Sequence, residues 1–112
     1  MTTLQCPENR PDPGFYYHYK HDPSGLVENY AYQVLNVASR TEEHGKFDVI
    51  YRPLYLEATV YQAGRLWDSR PIDMWVGDVV KNGASMPRFK KITDPTVLEE
   101  LYRIKFVMYG SK

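Results

Sequence analysis

Sulfur chemistry is nearly absent from this sequence: one cysteine, Cys6, stands in 112 residues. A single cysteine cannot close an intramolecular disulfide, so the fold rests on its core, and a reducing interior fits better than secretion. Net charge is absent too, with fourteen Lys and Arg balancing fourteen Asp and Glu. That balance argues against a protein built to coat nucleic acid. No apolar run reaches the length that spans a bilayer. The opening MTTLQCPENRPDPG has neither the basic start nor the apolar core of a signal peptide. A Gly-rich phosphate loop, a nucleophile elbow and a zinc-ligand pattern are all missing. These absences predict a cytoplasmic single domain with no cofactor, no metal and no membrane partner, long enough to bury a core without covalent staples.

What the chain does have is aromatic residues, ten tyrosines among them. Tyrosine suits strands and half-buried surfaces, and it is favoured at binding surfaces. Charge is also unevenly spread: residues 1–80 carry seven Lys and Arg against eleven Asp and Glu, whereas residues 81–112 carry seven against three. The basic end invites an anionic partner, although a solvated face explains it as simply.

Local patterns divide the chain into three parts. Residues 1–13, with three prolines and no aliphatic cluster, read as a flexible N-terminal arm. Residues 14–92 read as short strands separated by turn chemistry. In GFYYHYK, Phe15, Tyr17 and Tyr19 share one face of a strand, while Tyr16, His18 and Lys20 share the other. HDPSGLVENYA is turn chemistry, and YQVLNVASR is apolar on both faces, as a central strand would be. TEEHGK turns the chain into FDVIYRPLY, where Phe47, Val49 and Tyr51 alternate with Asp48, Ile50 and Arg52, and Pro53 marks an edge, a bulge or the strand's end. EATVYQAGRLW reads as two short strands about Ala63-Gly64, SRPIDMW as a turn or one helical turn, and VGDVVKNGASMPRFKKI as a hairpin turning at Lys81-Asn82-Gly83. Such spacing predicts a small barrel or sandwich. Residues 93–112 change character: Asp94 is a good N-cap, Pro95 suits the first helical position, and Val97, Leu101, Ile104 and Met108 form an apolar stripe. The spacing predicts a helix from Pro95 to about Arg103, with RIKFVMY equally compatible with a strand.

GFYYHYK, YQVLNVA with Glu42, VIYRPLY, LWDSRPIDMW and NGASMPRF occur in the order of the motif blocks of domain of unknown function 1653. Over residues 14–92 the chain resembles that family. The resemblance implies an SH3-like β-barrel, here with a C-terminal helical element, and implies no activity. Two inserts, between Lys20 and Tyr32 and between Tyr55 and Trp67, depart from the pattern, and Trp75 stands where a phenylalanine is usual.

The sharpest chemical feature is an arginine set beside a proline three times, at Arg52, Arg70 and Arg88, each eighteen residues from the next. Arginine offers a planar fork to carboxylate or phosphate, and the proline stiffens the backbone that carries it. Each arginine serves equally well as a loop brace, paired with a carboxylate or stacked on Tyr51 or Trp67. The sequence points to a non-catalytic binding module whose contact face comprises His18, Tyr19, Tyr51, Arg52, Trp67, Arg70 and Arg88, with Glu42 a further candidate. The partner is an anionic ligand, a peptide or an unknown protein; nucleic acid is a weaker reading given the neutral charge. The alternative is a small enzyme or metabolite-binding protein in which His18 is a base oriented by Glu42 and Arg52 clamps an anion. His18, His21 and Asp22 do not make a metal site, since strand positions three apart face opposite ways.

Overall fold

The computed structural model describes residues 5–55 and 67–111. Its main layer is a five-stranded antiparallel sheet made from β1 (Gly14–His18), β2 (Ala31–Ser39), β3 (Phe47–Pro53), β4 (Asp68–Pro71) and β7 (Phe89–Lys91), in the order β4-β3-β2-β1-β7. β2 is central, which accounts for its apolar residues on both faces. β5 (Asp78–Lys81) and β6 (Ala84–Pro87) form a separate hairpin. It turns at Asn82 and Gly83, whose φ values of 53° and 79° give the left-handed pair that matches strand twist. Helix α1 is one turn, Asp73–Val76, and α2 runs Pro95–Tyr109. The antiparallel strands and the C-terminal helix agree with the mainly β expectation. No closed barrel is found among the described residues, where β4 and β7 are the two edges of the sheet.

Side-chain alternation gives the sheet two apolar faces, each with its own cover. Phe15, Ala31 and Leu54 pack with Ile92 against Leu101, Ile104 and Tyr109 of α2. On the opposite face, Tyr16, Val34, Val49 and Tyr51 pack with Ile72, Trp75 and Phe89. The pairing shifts register between Val34 and Asn36, so that Leu35 is the extra residue of a bulge. One inserted residue reverses the alternation, which lets both Val34 and Val37 point to the Trp75 face. β3 ends at Pro53, which has no N–H to donate onward.

α2 starts as predicted, with the Asp94 carboxylate accepting from the N–H groups of Thr96 and Val97 at 2.9 and 3.4 Å. It then continues past Arg103 to Tyr109, where Gly110 (φ 69°) caps it by donating to the Phe106 carbonyl. The strand alternative for the tail fails because Leu101, Ile104 and Met108 meet the core at helical spacing, while Phe106 is 65 % exposed. SRPIDMW divides between β4 and α1. Residues 5–13 contain neither helix nor strand, but Tyr16 ties the segment down by donating to the Asp12 carbonyl at 2.9 Å. The two strands expected about Ala63-Gly64 lie outside the described residues.

Candidate functional site

His18 closes β1, with Tyr30 on one side and Phe89 on the other: its N–H donates to the Tyr30 carbonyl at 3.0 Å, and it stands opposite Phe89 in the β1–β7 pairing. The imidazole faces the Trp75 side of the sheet. It lies edge-on to Phe89 at 5.1 Å between centroids, tilted 39° against Tyr19 at 4.4 Å, and near-parallel to Tyr30 at 5.7 Å. Behind it, Phe89 and Trp75 stack at 3.7 Å with planes 1° apart. Nδ1 accepts from the Lys20 N–H at 3.2 Å, which leaves the proton of the neutral ring on Nε2. Burial, followed by the charges of Arg70, Lys20 and Arg88, pushes the His18 pKa down to about 4. At neutral pH the imidazole is uncharged.

Two of the three proline-flanked arginines, Arg70 and Arg88, lie near enough for their charges to act on His18. Arg70 stands opposite Val49 in the β3–β4 pairing, so it shares the face of Val49 and Tyr51. Its guanidinium carbon lies 5.2 Å from the Phe89 ring centroid and 5.8 Å from that of Tyr51. Arg88 occupies the single step between β6 and β7, where its N–H donates to the Gly77 carbonyl at 3.1 Å and its carbonyl accepts from Tyr19 N–H at 2.9 Å. Lys81 Nζ donates to the Tyr19 carbonyl at 3.2 Å. The Arg88 Nε is buried and has no hydrogen-bond acceptor. Among the described residues, no carboxylate forms an ion pair with Arg70 or Arg88.

Arg52 belongs elsewhere. Opposite Gln33 in the β2–β3 pairing, it faces α2, where it is 2 % exposed. Its Nε donates to Gln33 Oε1 at 2.9 Å, and its guanidinium carbon lies 4.0 Å from the Tyr109 centroid. Burial lowers the pKa of this guanidinium. The expected common face of three arginines is thus divided by the sheet: alternation along β3 sends Arg52 and Tyr51 to opposite sides.

Other expected residues are also scattered. Glu42 sits in the β2–β3 turn, beyond Ser39, whereas His18 lies beside Tyr30 at the start of β2. About nine residues of extended strand, roughly 30 Å of chain, separate the two ends, so Glu42 does not orient His18. The enzyme reading of His18, Glu42 and Arg52 has no assembled site. Trp67, 59 % exposed, makes no ring contact with the described aromatics. Tyr51 packs against Tyr32 and Trp75 and serves as the wall behind Arg70. His21 turns away from His18, stacking on Tyr17 at 3.5 Å with its Nδ1 2.7 Å from the Asn29 carbonyl oxygen.

Three residues that shape this face are not among the candidate site residues expected from the sequence. Tyr32 lies edge-on to Tyr51, Tyr55 and Phe89, and its hydroxyl is 3.1 Å from that of Tyr55. Burial and the Tyr55 hydroxyl raise the Tyr32 pKa. Phe89 contacts His18, Trp75 and Arg70. Tyr30 falls within the turn segment HDPSGLVENYA. The even parity shared by Tyr16, His18, Tyr32 and Val34 was the available signal for Tyr32; nothing local marked Tyr30.

Fold and face together define a small, mainly β domain with a C-terminal helix and a cationic, aromatic-walled surface. Residues 14–91 match the family model described as "Protein of unknown function (DUF1653)", and the chain belongs to that family. A crystal structure of a DUF1653 protein from Bordetella bronchiseptica is similar, with 28 % identity, coverage of 72 % of this chain and 86 % of that one, and a TM-score of 0.54. No curated protein matches the chain. No helix among the described residues is long and apolar enough to cross a membrane.

Proposed function

We propose that this protein is a non-catalytic, cytoplasmic, SH3-like binding module that takes an anionic group at Arg70 and Arg88. The observation that carries the reading is the Arg88 Nε, a charged donor that is buried without an acceptor. Leaving such a donor unmatched costs about 1–3 kcal/mol or more, and a carboxylate or phosphate that draws the half-buried Arg88 side chain outward to pair with it removes that penalty. Arg70 supports the reading, since it rests on Phe89 and Tyr51 instead of an acidic side chain. His18 supports it as well: a neutral imidazole between cations contributes a donor at Nε2 without adding to their mutual repulsion.

Calorimetric titration with sodium phosphate, sulfate and acetate at two ionic strengths tests the proposal. Saturable binding that weakens with salt is expected. It should fall roughly tenfold or more in Arg88→Met and in Arg70→Met, as loss of a charge-assisted hydrogen bond requires. Equal heats from wild type and both variants would refute it.

A further inference from the structure

Tyr30 occupies a backbone position that tyrosine does not favour. Its φ is 53°, in the left-handed region that glycine or asparagine enters at less cost. The corner is held there because the Tyr30 carbonyl accepts from His18 N–H and the residue leads directly into β2. Burial does not explain the choice of a large ring, since Tyr30 is 42 % exposed. Residues held in sparsely populated backbone regions cluster at active sites and ligand clamps. Tyr30, His18 and Tyr19 form a row of rings, and Tyr19 is hydrogen-bonded to the backbone of Arg88. Tyr30 and Phe89 flank His18 from either side, their backbones about two strand spacings apart, roughly 10 Å, and the Arg70 guanidinium carbon rests 5.2 Å from the Phe89 ring centroid. One nucleotide bridges that interval from base to phosphate.

We infer that the anion held at Arg70 and Arg88 is the phosphate of a nucleotide whose base stacks on Tyr30. This rests on the anion-binding reading above and extends it. Base–aromatic stacking contributes about 1–3 kcal/mol per base; the base therefore adds at least about fivefold to the affinity of the phosphate alone. The open ring accepts any base, so selectivity among bases is weak. Lys20 and Lys81 beside His18 and Tyr19 are placed to meet further phosphates.

Titrations of the whole protein with inorganic phosphate, ribose 5-phosphate, AMP, UMP and a thymidine tetranucleotide test the inference, followed by amide and arginine side-chain NMR. Tyr30→Gly removes the ring while relieving the positive φ, so it is expected to fold at least as well as the wild type. AMP and UMP should bind at least about fivefold tighter than ribose 5-phosphate. That gain should vanish in Tyr30→Gly with phosphate affinity unchanged. A further gain for the tetranucleotide, lost at high salt, identifies a single strand as the source; equal affinity identifies the free nucleotide. If AMP and ribose 5-phosphate bind equally, the inference is overturned and the anion site stands. If no phosphate compound binds, both fall together.

Discussion

At Arg52 and Arg88 one side-chain chemistry meets two environments. Arg52 lies between Gln33 and the Tyr109 ring, beneath the last turn of α2. Its truncation to alanine empties a buried volume and strands the Gln33 carbonyl, so Arg52→Ala should lose about 2–4 kcal/mol in denaturant unfolding with phosphate binding intact. Arg88→Met should do the reverse, folding within about 1 kcal/mol of the wild type while losing the anion. Arg88 carries the unmatched donor, and methionine keeps much of the stem's packing. His18 adds a pH signature. Its pKa is about 4 in the folded chain against an ordinary 6.5. Above pH 6.5 both folded and unfolded imidazoles are neutral, and nothing is lost. Between 6.5 and 4 only the unfolded chain takes up the proton, so stability falls as pH falls. Melting temperatures followed from pH 7 to 4 should therefore drop more steeply for wild type than for His18→Gln. An anion beside Arg70 and Arg88 raises the His18 pKa, so phosphate should weaken this acid sensitivity.

α2 illustrates what an element owes to sequence and what to tertiary contact. Its start was legible in Asp94-Pro95, because the cap is made by a side chain two and three residues from its partners. Asp94→Ala should lower thermal stability by about 1 kcal/mol and leave the anion face untouched. Its end was not legible, because it depends on a long-range contact, Tyr109 donating to the Pro53 carbonyl at the end of β3 at 2.5 Å. The β5–β6 turn was equally readable, since Asn82-Gly83 has a strong preference for left-handed backbone. Arg40 was overlooked: it holds both oxygens of Asp48 at 2.8 and 3.0 Å across the base of the β2–β3 hairpin. That bridge keeps the Asp48 carboxyl below its ordinary pKa.

At the scale of the molecule, the sheet sets the buried Arg52 on its α2 side and the half-buried Arg70 on the side of Tyr51 and Trp75. Alternation along β3 already opposed Arg52 to Tyr51, so the separation of Arg52 from an aromatic face could be read from the chain. The convergence of His18, Arg70 and Arg88 could not, since it depends on the β1–β7 and β3–β4 pairings. The family blocks contain His18, Arg70 and Arg88 without assigning their faces. That β4 and β7 are the sheet's edges among the described residues also lay beyond local pattern, because closure depends on long-range register. The central claim is that Arg88 is a ligand-facing cation while Arg52 is part of the frame. The most direct test follows the arginine Nε–H signals of the 15N-labelled protein during a phosphate titration at low ionic strength. The account predicts a saturable, salt-sensitive shift of Arg88 Nε–H, accompanied by Arg70, with Arg52 Nε–H unmoved. An Arg88 signal that stays fixed, or three arginine signals that move together without saturating, would contradict it.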